Sequence, residues 1–334
     1  MIGINMKIPF KKLNLGNAEV AAVSELIRSG MIGLGDKVFE FEKALAEYVG
    51  CKEVIAVDSC TSAIFLSLLY DKQEAAAMQD PSTEVGIPSM TVPLVAAAAI
   101  EAGRRIYYTD DVDWVGSAYN LIGTPVWDSA HQLERNQFLQ MFGPLDTKSK
   151  LCFSFYPTKS IGSADGGAIA TNDVEFAKWA RSISTYGRNQ GTKYGNSWDY
   201  EVELIGYKRH YTNLQAVICH EQLKRLDNTN MVRAAIRNIY NTAFGLKNKS
   251  LYLYRISVDN RDEFIKELAE NGIEAGVHFK PLHMMKAYQG FQIRGDRKKV
   301  EDAYAHTLSL PFYDSMTHEE VHYIIDLVKN RKYK

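Results

Sequence analysis

The sequence predicts an α/β fold with a mainly parallel central sheet, followed by a smaller C-terminal α+β domain. Two observations favour this class. Short apolar runs typical of buried strands alternate with segments whose apolar residues recur at helical spacing. The 334 residues, 46% of them hydrophobic, exceed one ordinary domain and suffice for a large core. We expect a large domain over residues 1–220, including an N-terminal arm, and a small domain over residues 221–334.

The predicted elements follow one another in a regular order. Residues 38–48 have helical spacing, residues 54–59 form a short apolar run, and residues 61–69 are helical again. Further strand-like runs, most of them separated by helix-compatible stretches, cover residues 85–88, 105–109, 125–128, 151–155 and 167–171. An amphipathic segment near residues 220–244 leads to the small domain, where a helix over residues 261–271 ends at Gly272 as its C-cap. Alternating strands and helices predict a layered α/β sheet.

Charge and cysteine content exclude several kinds of partner. The 39 basic and 40 acidic residues nearly cancel, so no strong field draws the chain to nucleic acid or anionic lipid. The N-terminus lacks a signal peptide's apolar core, and the most apolar run, residues 92–100, is too short to span a bilayer. Four cysteines without a CxxC pair suit a reducing compartment. We therefore expect a cytoplasmic protein whose partners are small molecules or itself.

The most informative segment is FSFYPTKSIGSADGGAIATND, residues 153–173. It predicts a strand, a turn that contains Lys159, a glycine-rich stretch and another strand. A lysine that forms a Schiff base needs a positioned and partly desolvated amine, and small flanking residues let a planar cofactor approach. A surface lysine in a hairpin fits this segment equally well when it is taken alone.

A second candidate lies in VWDSAHQL, residues 126–133, where Asp128 ends an apolar strand. Open α/β sheets bind ligands at such strand ends. A carboxylate there would keep a pyridine nitrogen protonated, and His131 would donate a hydrogen bond to a ring hydroxyl. Asp128 would serve as well as a helix N-cap, and His131 as an interior histidine, so both structural alternatives stay open.

The third candidate is SCTSAI, residues 59–64, where a buried strand stops and a helix begins. Free backbone N–H groups and hydroxyls at a helix N-terminus bind phosphate. Ser59, Thr61 and Ser62 are also ordinary N-cap residues, which is the alternative explanation. Ser154, on the strand that leads to Lys159, would add a further hydroxyl.

These three pieces, in this order, resemble the nucleotide-sugar aminotransferases of the DegT type, which are fold-type I enzymes dependent on pyridoxal 5′-phosphate (PLP). The lysine segment is similar to the family's FSFYPTKN-G-GEGG pattern, and WDSAH to its ED-A-A-Q/H strand end. The resemblance extends from about residue 8 to the C-terminus through SCTSAI, IPSMT, GYKRHYTNLQA, VHFKPLH and LSLPFYDSMT.

The resemblance implies a role for each candidate. Lys159 would carry PLP as a Schiff base and move a proton during transamination. Asp128 would pair with the ring nitrogen and His131 with the ring hydroxyl. Lys208 would reach the cofactor phosphate from the second subunit of a homodimer. The implied reaction takes an amino group from glutamate and delivers it to a ketone on a nucleotide-linked sugar. The residues implied to hold the phosphate from within the chain are Cys60, Thr61 and Ser154.

The chain departs from the family pattern in three places. Only 12 residues lie between Asp111 and Thr124, where the family usually has a further helix and strand, so one edge of the active-site domain must be rebuilt. Val92 stands where the family usually has an aromatic residue that stacks on the cofactor. Arg209 and His210 also replace the usual residues beside Lys208. These departures affect the substrate assignment more than the cofactor assignment.

Three other functions remain to be weighed. His318-Glu-Glu-Val-His322 is a literal HExxH, which on a helix can bind zinc, but among the 12 residues after it Asp326 is the only carboxylate side chain and there is no histidine. We interpret it as an amphipathic helix capped by Thr317 and predict no metal site. A second alternative is another PLP-dependent member, either a sugar dehydratase or a regulator. Related sugar dehydratases generally have histidine in place of the lysine, so Lys159 favours transamination. The third alternative is a degenerate relative without turnover.

Overall fold

The computed structural model describes residues 7–78, 84–188 and 201–332. The helices in these ranges are α1 (Asn17–Ser29), α2 (Asp36–Val49), α3 (Cys60–Ala77), α4 (Pro93–Glu101), α5 (Gln137–Phe142), α6 (Val174–Ser184), α7 (Asn213–Lys224), α8 (Leu226–Phe244), α9 (Arg261–Glu270), α10 (Arg297–His306) and α11 (His318–Lys332). The strands are β1 (Glu53–Val57), β2 (Glu84–Pro88), β3 (Arg105–Thr109), β4 (Tyr119–Asn120), β5 (Val126–Asp128), β6 (Lys150–Ser154), β7 (Gly167–Thr171), β8 (Tyr254–Ser257), β9 (Ile293–Arg294) and β10 (Thr307–Leu310). None of the described helices is both long and apolar enough to cross a membrane.

The predicted strands of the large domain all form, within two residues of their expected ends. The amphipathic segment predicted at residues 220–244 instead forms two helices, α7 and α8, which meet at Arg225. Gly272 follows α9 with φ 76°, a left-handed conformation that suits glycine at a helix C-terminus. Local sequence patterns were therefore a good guide to strands, and less so to the break within a helical segment.

The sheet is more mixed than the sequence predicted. Five strands lie in the order β1-β7-β6-β5-β4, and three lie in the order β2-β3-β9. Pairs β2–β3, β3–β9 and β5–β6 are parallel, whereas β1–β7, β6–β7 and β4–β5 are antiparallel. A parallel pair needs a long crossover, usually a helix. No helix lies between β6 and β7 or between β4 and β5, so these strands turn back on themselves.

The short segment between Asp111 and Thr124 pairs with strands on both of its sides and so lies within the sheet, not only at its edge. Gly86 of β2 and Ile122 exchange backbone hydrogen bonds, 2.9 Å from the Gly86 N–H and 3.0 Å from the Ile122 N–H. This pair joins the two sheets directly beside β4. The short segment between β3 and β5 therefore completes the backbone hydrogen bonding that a buried strand requires.

Hydrophobic cores cover both faces of the sheet. Ile55 and Val57 of β1 belong to the core beneath α3, α4 and α6, whereas Val54 and Ala56 belong to the core beneath α2 and α7. Successive side chains of a strand point to opposite faces, so a run of apolar residues is what a doubly covered strand needs.

A third core lies in the C-terminal part of the chain, where β8 pairs antiparallel with β10 and packs with α8, α9 and α11. The N-terminal arm reaches this core. The Ile8 N–H donates to the Gly272 carbonyl at 2.8 Å, and the Ile8 side chain is fully buried. The division into domains at residue 220 stays a prediction.

Replacing Gly167 by alanine should destabilise the fold. An alanine Cβ at this first position of β7 would lie 2.4 Å from the backbone nitrogen of Cys60 and 2.5 Å from the carbonyl carbon of Ser59, both at the start of α3. Overpacking against backbone costs about 1 to 3 kcal/mol in the free energy of unfolding. Urea denaturation would measure it. Gly33→Ala is the control, because its Cβ would meet nothing within 4 Å. Equal effects at the two positions would contradict the packing argument.

Candidate active site

A cavity of about 500 Å³ opens where the end of β5, the N-terminus of α3 and the turn after β6 meet. The structure brings six of the seven predicted site residues to its wall. They are Cys60, Thr61, Asp128, His131, Ser154 and Lys159. A larger groove of about 950 Å³ in the C-terminal part of the chain, beside Phe264 and Arg331, contains none of the predicted residues.

One end of the cavity has the features of a phosphate site. Ser59 caps α3, with its side-chain oxygen accepting from the Ser62 N–H at 3.1 Å. This leaves the Cys60 and Thr61 N–H groups at the free N-terminus of the helix. Thr61 and Ser154, which each carry a hydroxyl, also line the cavity. Burial raises the pKa of the Cys60 thiol well above its ordinary value, so the thiol stays neutral and does not repel an anion.

Lys159 lies in the turn between β6 and β7. Its N–H donates to the Tyr156 carbonyl at 2.9 Å, and its Nζ lies 4.8 Å from the centre of the Tyr252 ring. Among the described residues its amine makes this cation–π contact and no hydrogen bond or ion pair. The amine is therefore positioned at the cavity and available for a ligand.

Asp128 ends β5 as a buried carboxylate, 5% exposed. Its Oδ1 accepts from the Ala130 N–H at 2.8 Å, and its Oδ2 accepts from the Tyr119 hydroxyl at 2.9 Å. Burial raises the pKa of Asp128, while these two donors and the Lys159 ammonium oppose the rise. Asp128 does not cap a helix, because residues 129–136 form no helix before α5 begins.

His131 is buried and held in one tautomer. Its Nδ1 accepts a hydrogen bond from the Gly116 N–H at 3.2 Å, so the ring proton lies on Nε2. Burial, together with the positive charges of Lys159 and Lys11, lowers the pKa of His131 well below its ordinary value. The ring is therefore a neutral imidazole that can donate from Nε2.

Several polar and aromatic residues at the site were not among the predicted site residues. Thr91, Trp114, Tyr156 and Asp165 line the cavity, and the Tyr119 hydroxyl donates to Asp128. Trp114 and Tyr119 belong to the shortened segment, for which no local pattern gave a structure. Val92 lines the wall where the family usually has an aromatic residue. The Trp114 ring instead lies nearly parallel to His131, with ring centres 5.3 Å apart and planes 24° apart.

Lys208 is the predicted site residue that does not line the cavity. Its backbone pairs with Thr185, and its side chain is exposed. The neighbouring Arg209 lies close to the N-terminus of α3, where its Nη1 donates to the Ser62 hydroxyl at 3.1 Å. A contribution of Lys208 to this chain's own cavity is not observed.

The HExxH residues lie on α11, far along the chain from the cavity residues. The His318 and His322 rings stack with centres 6.2 Å apart, and the Glu320 N–H donates to the predicted cap, Thr317, at 3.1 Å. Within the ranges that the structure describes, no third metal-binding side chain joins them.

Comparison with known proteins decides the family. The sequence profile of the DegT/DnrJ/EryC1/StrS aminotransferase family matches residues 14–114 and 111–329. The chain belongs to this family. The match divides at residues 111–114, where the shortened segment of this aminotransferase begins. The predicted family and the prediction of an enzyme are both confirmed.

Individual relatives agree with this assignment. The aminotransferase is 30% identical to the spore coat polysaccharide biosynthesis protein SpsC of Bacillus subtilis, over 98% of this chain and 97% of SpsC. Their alignment spans 387 positions, more than this chain contains, so SpsC has residues that this chain lacks.

Solved structures confirm the predicted fold class. A family member from Brucella abortus is 25% identical, with a TM-score of 0.78 over 95% of this chain and 96% of that one. The PLP-form of Spr1654 from Streptococcus pneumoniae is 23% identical, with a TM-score of 0.77 over 97% of this chain and 98% of that one.

The buried His131 should make stability depend on pH. Its folded-state pKa is depressed, so the unfolded chain binds a proton more readily and stability falls as pH drops below about 6.5, the unfolded value. Between pH 7.5 and pH 5.5 we expect wild type to lose about 1 kcal/mol more unfolding free energy than His131→Gln. Urea denaturation at both pH values tests this.

His318→Gln is the matched control for this measurement, because His318 is exposed on α11 and its imidazole meets water in both states. Between pH 7.5 and pH 5.5, the His318→Gln variant should lose as much unfolding free energy as wild type. A His131→Gln variant that behaves like the His318→Gln variant would show that His131 is not desolvated.

Proposed function

We propose that this aminotransferase uses PLP held on Lys159 and transfers an amino group from glutamate to the ketone of a nucleotide-linked sugar. One observation supports the cofactor most strongly. A single cavity combines a helix N-terminus with hydroxyls, a buried carboxylate 5% exposed, and a lysine amine without a hydrogen-bond partner among the described residues. These are the partners that the phosphate, ring nitrogen and aldehyde of PLP require.

Each side chain has a task in this proposal. Bound PLP supplies an electron sink at its ring. The Thr61 and Ser154 hydroxyls and the N–H groups of Cys60 and Thr61 bind the phosphate. Asp128 accepts a hydrogen bond from the protonated ring nitrogen, and His131 donates a hydrogen bond from Nε2 to the ring hydroxyl. Lys159 holds the cofactor covalently through Nζ, and the same amine, once released, moves a proton between the two reacting carbons.

The sugar part of the proposal rests on relatives. SpsC is named for polysaccharide biosynthesis, and Spr1654 is described as a sugar aminotransferase. The presence of Lys159 at the cavity opposes the dehydratase alternative. The intact set of cavity side chains opposes the degenerate alternative, because a chain that had lost turnover would have no reason to keep them together.

The cellular setting belongs to the same proposal. All four cysteines of the chain are free, and Cys152 and Cys219 are buried. Free thiols suit a reducing compartment, and we therefore propose a cytoplasmic enzyme.

The decisive experiment is a glutamate-dependent amination assay on a panel of nucleotide-linked keto-sugars, with wild type and Lys159→Ala compared. We expect product from wild type with at least one sugar and a loss of about 10⁶-fold or more without the lysine, since nucleophile and proton carrier are lost together. Lys280→Ala, which removes an exposed lysine, is the control.

Labelling tests the cofactor assignment independently of the substrate. Borohydride reduction of the PLP-loaded protein, followed by peptide mapping, should fix the cofactor on Lys159. A label on Lys208 or Lys280 would overturn the assignment, and absence of any label would overturn the cofactor.

We also propose that the enzyme is a homodimer in which Lys208 binds the cofactor phosphate of the partner subunit. The exposed position of Lys208 outside its own cavity fits this role, and lysine acts there as a flexible point charge. Lys159→Ala and Lys208→Ala subunits, each poor alone, should regain activity when mixed under conditions of subunit exchange. One site of the mixed dimer then has both lysines.

The control for this mixing uses a subunit with both substitutions. Combined with Lys159→Ala, it should stay inactive because no intact Lys159 is present. Failure of the first mixture to recover activity, although light scattering shows mixed dimers, would refute the shared site, as would a monomer.

A further inference from the structure

The shortened segment between β3 and β5 contacts both side chains that face the proposed cofactor ring. Tyr119 and Asp128 lie directly opposite each other in the antiparallel pair β4–β5. The Tyr119 hydroxyl donates to the Asp128 Oδ2 at 2.9 Å. Both side chains are buried, with 4% and 5% of their surfaces exposed. A hydrogen bond between buried groups of this kind restricts the carboxylate to one orientation.

The direction of this hydrogen bond follows from its surroundings. Burial and the nearby Asp128 charge raise the pKa of Tyr119 well above its ordinary value, so the phenol keeps its proton. Its oxygen also lies 3.0 Å from the hydroxyl of the buried Thr91. Because the Tyr119 proton is engaged by the carboxylate, Thr91 is the donor in that second bond. The result is a relay in which Thr91 donates to Tyr119 and Tyr119 donates to Asp128.

The same segment fixes His131. The Gly116 N–H donates to Nδ1, which leaves the ring proton on Nε2. Gly116 has φ 99°, and a Cβ there would lie 2.6 Å from the Ser250 hydroxyl oxygen. Only glycine fits this approach of the backbone to the imidazole without strain.

We propose that residues 114–119 are a positioning element for the cofactor ring: the Tyr119 hydroxyl aligns the Asp128 carboxylate, and the Gly116 N–H fixes His131 as the Nε2–H tautomer. This inference rests on the proposed function only in taking the bound ring to be that of PLP. The hydrogen bonds from Tyr119 to Asp128 and from Gly116 to His131 are present in the structure whatever the ligand is.

The charges around Asp128 make Tyr119 the group to test. Asp128 faces the Lys159 ammonium from the lysine turn, the Cys60 thiol from α3 and the Cys152 thiol from β6, in addition to Tyr119. Burial raises the pKa of both thiols, so neither adds a charge at neutral pH. Tyr119 is thus the side chain whose hydroxyl can be removed without changing a formal charge.

The test is an infrared pH titration of the full chain prepared without added PLP. The carboxylic acid band of Asp128 is identified by its loss in Asp128→Asn. In Tyr119→Phe the midpoint of this band should move to higher pH by about one pH unit or more, because a hydrogen bond to a charged group has been lost. An unchanged midpoint would overturn the role of Tyr119.

Tyr108→Phe is the matched control. Tyr108 is equally buried and donates to the Tyr288 carbonyl at 2.8 Å, without contact to Asp128. It should leave the Asp128 midpoint in place, and an equal shift in this variant would reduce Tyr119 to a general structural role and refute the proposal. If Tyr119→Phe does not fold, Thr91→Val replaces it, with a smaller shift in the same direction expected and no shift as the contrary result.

Nitrogen-15 spectra of histidine-labelled chain test the second contact. His131, assigned through His131→Gln, should show a protonated Nε2 and an unprotonated Nδ1 at neutral pH. The opposite tautomer would overturn this part of the proposal. Neither the infrared titration nor the nitrogen-15 measurement needs the cofactor. A chain that fails to bind PLP would therefore refute the proposed function, while the Asp128 midpoint and the His131 tautomer would still decide the positioning role.

Discussion

The arrangement of the rest of the cavity depends on the hydrogen bonds that compensate the burial of the Asp128 side chain. Transferring a carboxylate from water to a protein interior is costly unless hydrogen-bond donors and an opposite charge meet it. Here the donors are the Ala130 N–H and the Tyr119 hydroxyl, with the Lys159 ammonium nearby. The end of β5, the hairpin that contains β4 and the lysine turn must therefore keep their relative positions for the carboxylate to be tolerated.

The shortened segment between β3 and β5 meets two requirements. It supplies a hydrogen-bond donor to Asp128, and it pairs with backbone groups of the sheet that would otherwise be unpaired. If a strand is removed from within a sheet, the two strands that flanked it each keep unpaired backbone groups on the edge that faced it. The hairpin meets β5 through the Leu121 N–H, which donates to the Val126 carbonyl at 2.9 Å, and meets β2 through the exchange between Gly86 and Ile122. A few residues thus close the gap between two sheets and, from the same backbone, bring Tyr119 to Asp128.

The protonation states around the cavity are mutually consistent. His131 is neutral because burial and nearby cations disfavour a further positive charge, and its single proton lies on the nitrogen that faces away from Gly116. Cys60 is neutral at the helix N-terminus. The groups beside the proposed ring position are thus the Asp128 carboxyl group on one side and the Lys159 side-chain nitrogen on the other, which suits a pyridine nitrogen and a carbonyl carbon respectively.

The sequence by itself determined the positions of the strands β1, β2, β3, β5, β6 and β7, the family, and six of the residues that line the cavity, which are Cys60, Thr61, Asp128, His131, Ser154 and Lys159. These features are local: strand ends, a helix N-terminus and a turn place their side chains through backbone geometry over a few residues. Tertiary structure alone decided the antiparallel pairs, the junction of Gly86 with Ile122, and the contacts of Gly116 with His131 and of Tyr119 with Asp128. Those depend on which strands become neighbours, and a segment of 12 residues without periodicity has no local signal for its partner.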